Sequence, residues 1–147
     1  MHTDASYDCQ TPVDAVCQSA IAAGLTGLCI TDHVEMVEDS AHIQAAVAAS
    51  QENCRRAKEQ YGHRLQVFAG IELGEPLYNL PLCQDILNKG HYDFVLVSVH
   101  RLGEEPDYYF QDFVPPHGIS QSDWIEREMA RYFDEVLRTV RWGKFHS

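Results

Sequence analysis

The chain has 147 residues, 45% of them hydrophobic and 22% charged, with 11 basic against 22 acidic side chains and a formal net charge of −11. That size suits one globular, soluble domain, and the acidic balance argues against a surface that coats nucleic acid. No apolar run is long enough to cross a bilayer, and "MHTDASYDC" lacks the basic-then-apolar pattern of a secretory signal, so neither membrane association nor export is expected.

The N-terminal residues read as a loop. Thr11-Pro12 then offers an N-cap and a proline at the first helical position, Val13, Val16, Cys17 and Ala20 follow helical spacing, and Gly24 supplies a stop. "GLCIT", 27–31, is a short apolar strand. Ser40 is expected to cap a second helix with one stripe running from Ile43 to Tyr61, ended by Gly62. "LQVFAGIEL", 65–73, is a strand. Asn79 is expected to cap a third helix through Leu82, Ile86 and Leu87, stopped by Gly90. "DFVLVSVH", 93–100, is the clearest strand. The Pro- and Gly-broken loop "RLGEEPDYYFQDFVPPHG" is long enough to be functional. A last helix runs from about Ser122 to Trp142, with Ile125, Met129, Tyr132, Phe133, Val136, Leu137 and Val140 as its apolar stripe.

Strands alternating with helices imply right-handed crossovers and a parallel sheet, hence an α/β fold. No internal repeat or second-domain linker interrupts 1–147. Three parallel strands are few for a sheet that needs both faces covered and its edges paired. Oligomerisation, or pairing with a complementing chain, is the expected consequence. Cys9, Cys17, Cys29, Cys54 and Cys83 are odd in number and form no CxxC pair. They read as small core residues of a reducing compartment, hence a cytoplasmic protein.

The chemistry gathers at the strand ends. Asp32 and His33 follow the first strand, Glu72 lies near the end of the second, and His100 ends the third. In a parallel α/β array these ends face one way, so His33, Glu72 and His100 converge, joined by His2 and Asp8 from the N-terminal loop. Each residue alone has a plainer reading: a strand-end histidine, a carboxylate paired with arginine, a terminal loop. Asp32 suits capping of the next segment as well as a direct metal role. Three consecutive strands ending in ligand-type residues favour a metal site. Mixed imidazole and carboxylate donors suit Zn, Mn or Fe. Cations would also let an anionic substrate approach so acidic a chain. His42, His63 and His91 lie at helix ends or in a turn and are read as ordinary solvated histidines; His117 is read as a loop residue, with a substrate contact as the lesser reading, and His146, at the terminus, is assigned no role.

"HTDASYDC", "TDH", "GIE" and "SVH", in this order and spacing, resemble the PHP (polymerase and histidinol phosphatase) superfamily, and "SVHRLGEEPDYYF" and "YFDEVLRTVRW" resemble its histidinol-phosphatase branch. The resemblance implies a distorted (β/α)7 barrel with a trinuclear metal cluster at the C-terminal strand ends. His2 matches the second histidine of the HxH motif, Asp8 the acid after it, and His33 the histidine of TDH. Glu72 matches the bridging glutamate and His100 the histidine of SVH, so all five are implied metal ligands. Asp32 is an implied neighbour in the catalytic site. The first HxH histidine, the later glycine-histidine motif and the closing aspartate-histidine pair have no counterpart. Residues 1–147 are therefore expected to form a partial barrel, incomplete at both ends.

The implied reaction is hydrolysis of a small phosphorylated substrate, histidinol phosphate, to histidinol and phosphate. Arg101 could hold phosphate, a salt bridge to Glu104 or Glu105 being at least as good a reading. The rival readings are another PHP phosphoesterase and a non-catalytic remnant with partial metal binding. The chain alone is expected to turn over weakly or not at all.

Overall fold

A computed structural model describes residues 1–108 and 114–147; the "YFQDF" part of the long loop, 109–113, lies outside the described residues. The described elements are α1 (Val13–Ala22), β1 (Gly27–Ile30), β2 (His33–Glu35), α2 (Ser40–Tyr61), β3 (Gln66–Gly74), α3 (Leu80–Lys89), β4 (Phe94–Ser98) and α4 (Gln121–Trp142), with one turn of 3-10 helix at Pro76–Asn79 before α3.

All strand pairings are parallel, and β3 is central. β1 and β2 both pair with the same edge of β3, Ile30 opposite Ala69 and His33 opposite Glu72. The register is unchanged across the gap, so β1 and β2 form one interrupted strand. β2 was not expected from the sequence, because three residues rich in charge carry no apolar run. Gly70 lies beside the interruption. A Cβ there would come within 2.6 Å of the Thr31 side chain and 2.7 Å of Cys29 Sγ. β4 pairs with the other edge of β3, Glu72 opposite Leu96. On the outer edges, Thr31 N–H donates to Met1 O at 2.8 Å and Val97 N–H donates to Ser147 O at 2.9 Å.

Strand alternation divides the sheet into two faces. Leu28, Ile30, Val34, Val67, Ile71, Leu73 and Val95 turn to the helices and are buried. Helix α1 supplies Val13, Val16, Cys17 and Ala20 to the core beside β1, and α3 supplies Cys83 and Ile86 beside β4. The long α2 serves both ends of this core, with Cys54, Ala57 and Tyr61 at one and Ile43 at the other. The opposite face carries Phe68, Glu72, Leu96 and Ser98. Glu72 therefore stands on the open face, outside the apolar core.

Helix starts differ in detail from expectation. Asp39 caps α2, accepting from Ala41 and His42 N–H, and Ser40 is the first helical residue. Pro12 is the N-cap of α1, and Thr11 makes no side-chain cap. Asn79 caps α3 as its sequence suggests.

Helix α4 carries the amphipathic stripe expected of it. Its apolar stripe faces outward: Phe133, Leu137 and Val140 are more than half exposed, whereas Glu135 and Thr139 are buried. Amphipathic periodicity fixes that a helix has an apolar face, not what covers it. Cys17, Cys54 and Cys83 are core residues, while Cys9 and Cys29 are half-buried; all five thiols are free. No helix among the described residues is long and apolar enough to cross a membrane.

Candidate metal centre

The site forms where β2, β3 and β4 end on the open face. The period-two rule puts His33 and Glu35 on that face of β2, either side of the core residue Val34. It puts Glu72 opposite His33 of β2 and diagonal to Ser98 of β4. Ser98 Oγ donates to Glu72 Oε1 at 2.9 Å.

Glu72 is the hub. Its Oε2 lies 3.1 Å from His2 Nε2, and its Oε1 lies 3.7 Å from His100 Nε2 and 3.8 Å from His33 Nδ1. Asp8 closes the other side, with Oδ1 3.2 Å from His2 Nδ1 and Oδ2 3.6 Å from His33 Nε2. The His33 ring centroid is 4.4 Å from that of His2 and 4.8 Å from that of His100. The five residues singled out for metal ligation thus meet in one place.

The N-terminal loop owes its position to Asp32. This carboxylate is fully buried. Oδ1 accepts from Thr3 N–H at 2.5 Å, both oxygens contact Thr3 Oγ1, and Oδ2 accepts from Ser50 Oγ at 2.7 Å. Asn53 in turn donates to Thr3 Oγ1 and to Asp4. Asp32 was expected to cap a segment or to join the catalytic residues. Instead its carboxylate is turned from the cluster and fastens the loop that carries His2.

Electrostatics follow from the crowding. Burial works to raise the Glu72 carboxyl, but its bonds to His100 and Ser98 and the imidazoles of His33 and His2 outweigh it and hold the group at about 2. Burial opposes ionisation of Asp8 too, and contact with His2 more than offsets it. His100 is pushed up to about 10 by its bonds to Glu35 and Glu72. Burial lowers His33, yet Glu35 and Glu72 raise it on balance.

Two acids in this site escaped sequence analysis. Glu35 is 6% exposed, and its Oε1 lies 3.2 Å from Nδ1 of both His33 and His100. Glu75 is 1% exposed and sits in the left-handed region at φ 48°. Its Oε1 accepts from His100 N–H and Arg101 N–H. Burial and the neighbouring Glu35 carboxylate push Glu75 up to about 8, while Glu35 itself is held well below the ordinary carboxylate range, its bonds to His100 and His33 outweighing burial. Glu35 could have been found as the alternate residue after His33 had β2 been recognised. Glu75 sits at a turn and carries no periodic signal.

A cavity of about 550 Å³ opens beside the cluster, lined by Tyr7, His33, Glu35, Glu38, His42 and Arg101 among others. Arg101 Nε is buried and has no hydrogen-bond partner among the described residues. Glu105 pairs with Arg131 rather than with Arg101.

The donor set fits divalent cations. His2, His33 and Glu72 offer one compact group of ligand atoms, and His33, Glu35 and His100 a second. Metal bonds of about 2.0–2.2 Å set neighbouring tetrahedral donors about 3.4 Å apart, close to the separations here. The buried His33 Nδ1 and Glu35 Oε1 also have no hydrogen-bond partner among the described residues.

The PHP domain model matches residues 1–145. The chain belongs to the PHP domain family. The fold also superimposes, with a TM-score of 0.61, on the crystal structure of a histidinol phosphate phosphatase from Lactococcus lactis subsp. lactis complexed with zinc, L-histidinol and phosphate. The two are 20% identical; the match covers 78% of this chain and 45% of the other, so this PHP chain spans less than half the length of that enzyme. No curated protein matches the sequence. The parallel sheet with alternating helices is thus part of a PHP-type (β/α)7 barrel.

Proposed function

We propose that this PHP chain is a metal-dependent phosphomonoesterase, with His2, Asp8, His33, Glu72 and His100 holding a divalent cluster of Zn, Mn or Fe and histidinol phosphate as its substrate. Glu72 carries the reading: one carboxylate oxygen faces His2 and the other faces His33 and His100, as a bridging ligand requires. The zinc, histidinol and phosphate of the Lactococcus enzyme support the finer assignment.

Bound cations would bind phosphate oxygens and make water a nucleophile near neutral pH. The chain's own residues do the rest. Ser98 and the imidazoles keep Glu72 anionic, ready for cations. Imidazole protons must leave as cations enter, so uptake weakens with falling pH. Arg101, at the cavity with an Nε that has no partner among the described residues, is suited to a phosphate oxygen and offsets the negative field of the acids. Tyr7 remains a neutral phenol, because burial and then Glu35 push its ionisation up, and it can donate to substrate from the same wall.

The test pairs zinc calorimetry with phosphate release from histidinol phosphate and from unrelated phosphomonoesters. Wild type is expected to bind zinc and to prefer histidinol phosphate, with low turnover, whereas Glu72→Gln loses both. A Glu72→Gln chain that binds zinc as wild type does would overturn the reading.

A further inference from the structure

The two nitrogens of His33, on β2, and of His100, just beyond β4, face different partners. His33 Nε2 faces Asp8 at 3.6 Å, and His100 Nε2 faces Glu72 at 3.7 Å. Both Nδ1 atoms instead turn to Glu35, whose Oε1 is 3.2 Å from each. Glu35 Oε2 also accepts from His100 Nδ1 at 3.4 Å. His33 Nδ1 and Glu35 Oε1 are buried and make no aligned hydrogen bond among the described residues, so their 3.2 Å approach is an ion-pair contact between two otherwise unpartnered atoms; Glu72, at 3.8 Å from that nitrogen, is farther away.

The fold builds this arrangement deliberately. Glu35 stands opposite Gly74 in the β2–β3 ladder, and a Cβ on Gly74 would overlap the Glu35 carboxylate. The missing side chain is the space the carboxylate fills. Glu75, the next residue, accepts from the His100 and Arg101 amides and so fixes the backbone that carries the His100 ring.

We propose that Glu35 is a positioning residue that serves both histidines at once: it takes the Nδ1–H of His33 and of His100 and so commits both Nε2 atoms to cations. The inference rests on the metal reading above. An imidazole whose second nitrogen bonds a carboxylate is fixed in tautomer and orientation and is a more basic ligand, and loss of such a partner weakens metal binding by about 10- to 100-fold. One carboxylate shared by two ligands couples the two cation positions, so its loss weakens both together.

The experiment uses the full chain labelled with ¹⁵N-histidine, with zinc as the probe, in wild type, Glu35→Gln and Gly74→Ala. Wild type is expected to show zinc on Nε2 and a proton on Nδ1 for both rings. Glu35→Gln is expected to bind the same number of zinc ions about 10- to 100-fold more weakly, with Nδ1 coordination or tautomer mixing emerging at both rings. Gly74→Ala, which keeps the carboxylate but pushes it aside, is expected to change both rings in the same direction. Zinc on Nδ1 in wild type, one ion fewer in Glu35→Gln, or unchanged affinity and spectra in both variants each overturns the proposal. The second of these would make Glu35 a ligand itself. A wild type that takes up no zinc overturns the metal reading, and this inference with it, whereas the other outcomes leave that reading standing.

Discussion

Replacing Asp32 by alanine is expected to loosen the N-terminal loop before it affects any chemistry. The carboxylate is fully buried and accepts from Thr3 N–H, Thr3 Oγ1 and Ser50 Oγ. Alanine leaves the Thr3 amide and the Ser50 hydroxyl facing empty space. Each stranded donor costs about 1–3 kcal/mol, so the pair sums to roughly 2–6 kcal/mol. A domain of this size has about 5–15 kcal/mol in all, so the loss is readable in urea melts of the metal-free chain. Hydrogen exchange adds the location: amides of residues 3–9 should lose protection before those of β3. Asp32→Asn keeps an acceptor and should lose less. The zinc site should weaken as a secondary effect, because Thr3 adjoins His2. A loss under about 1 kcal/mol, below the smallest sum of two stranded donors, would refute the reasoning and return Asp32 to the catalytic candidates.

Glu75 makes a pH prediction. Its folded value of about 8 lies above the ordinary 4.5, so the folded state holds the proton more tightly than the unfolded chain does. The associated stability is complete below pH 4.5 and is lost as pH rises through about 8. Glu75→Gln removes this dependence, so urea midpoints of the metal-free variant should fall less than those of wild type between pH 5 and 9; parallel curves would contradict it. His100, raised from 6.5 to about 10 chiefly by Glu35 and Glu72 and in smaller part by Glu75, adds its own loss across that span, which Glu75→Gln reduces but does not abolish. On α4, Phe133 and Leu137 are 57% and 52% exposed. Serine at both should shift stability by no more than about 0.5 kcal/mol per site and reduce self-association in light scattering; a large destabilisation would mean that the stripe is packed.

Sequence periodicity determined most of the elements because it depends only on neighbours along the chain. Val13, Val16 and Cys17 declare a helix wherever they are placed, and "DFVLVSVH" declares a strand. Residue type likewise marked His33, Glu72 and His100 as ligand material at strand ends. β2 escaped because "HVE" is held as a strand by its ladder to β3 rather than by its own propensity.

Only the tertiary structure decided which way each group faces. Asp32 and His33 are adjacent letters, yet the carboxylate turns to Thr3 and Ser50 while the imidazole turns to the cluster. Glu35 gains its meaning from a glycine 39 residues on in the paired strand, and Glu75 from amides beyond β4. The same limit explains α4, whose stripe was legible but whose orientation was not. A side chain's type is a local fact. What it pairs with is set by chain crossings that bring distant residues within a few ångströms, and a pattern of neighbours does not encode those distances.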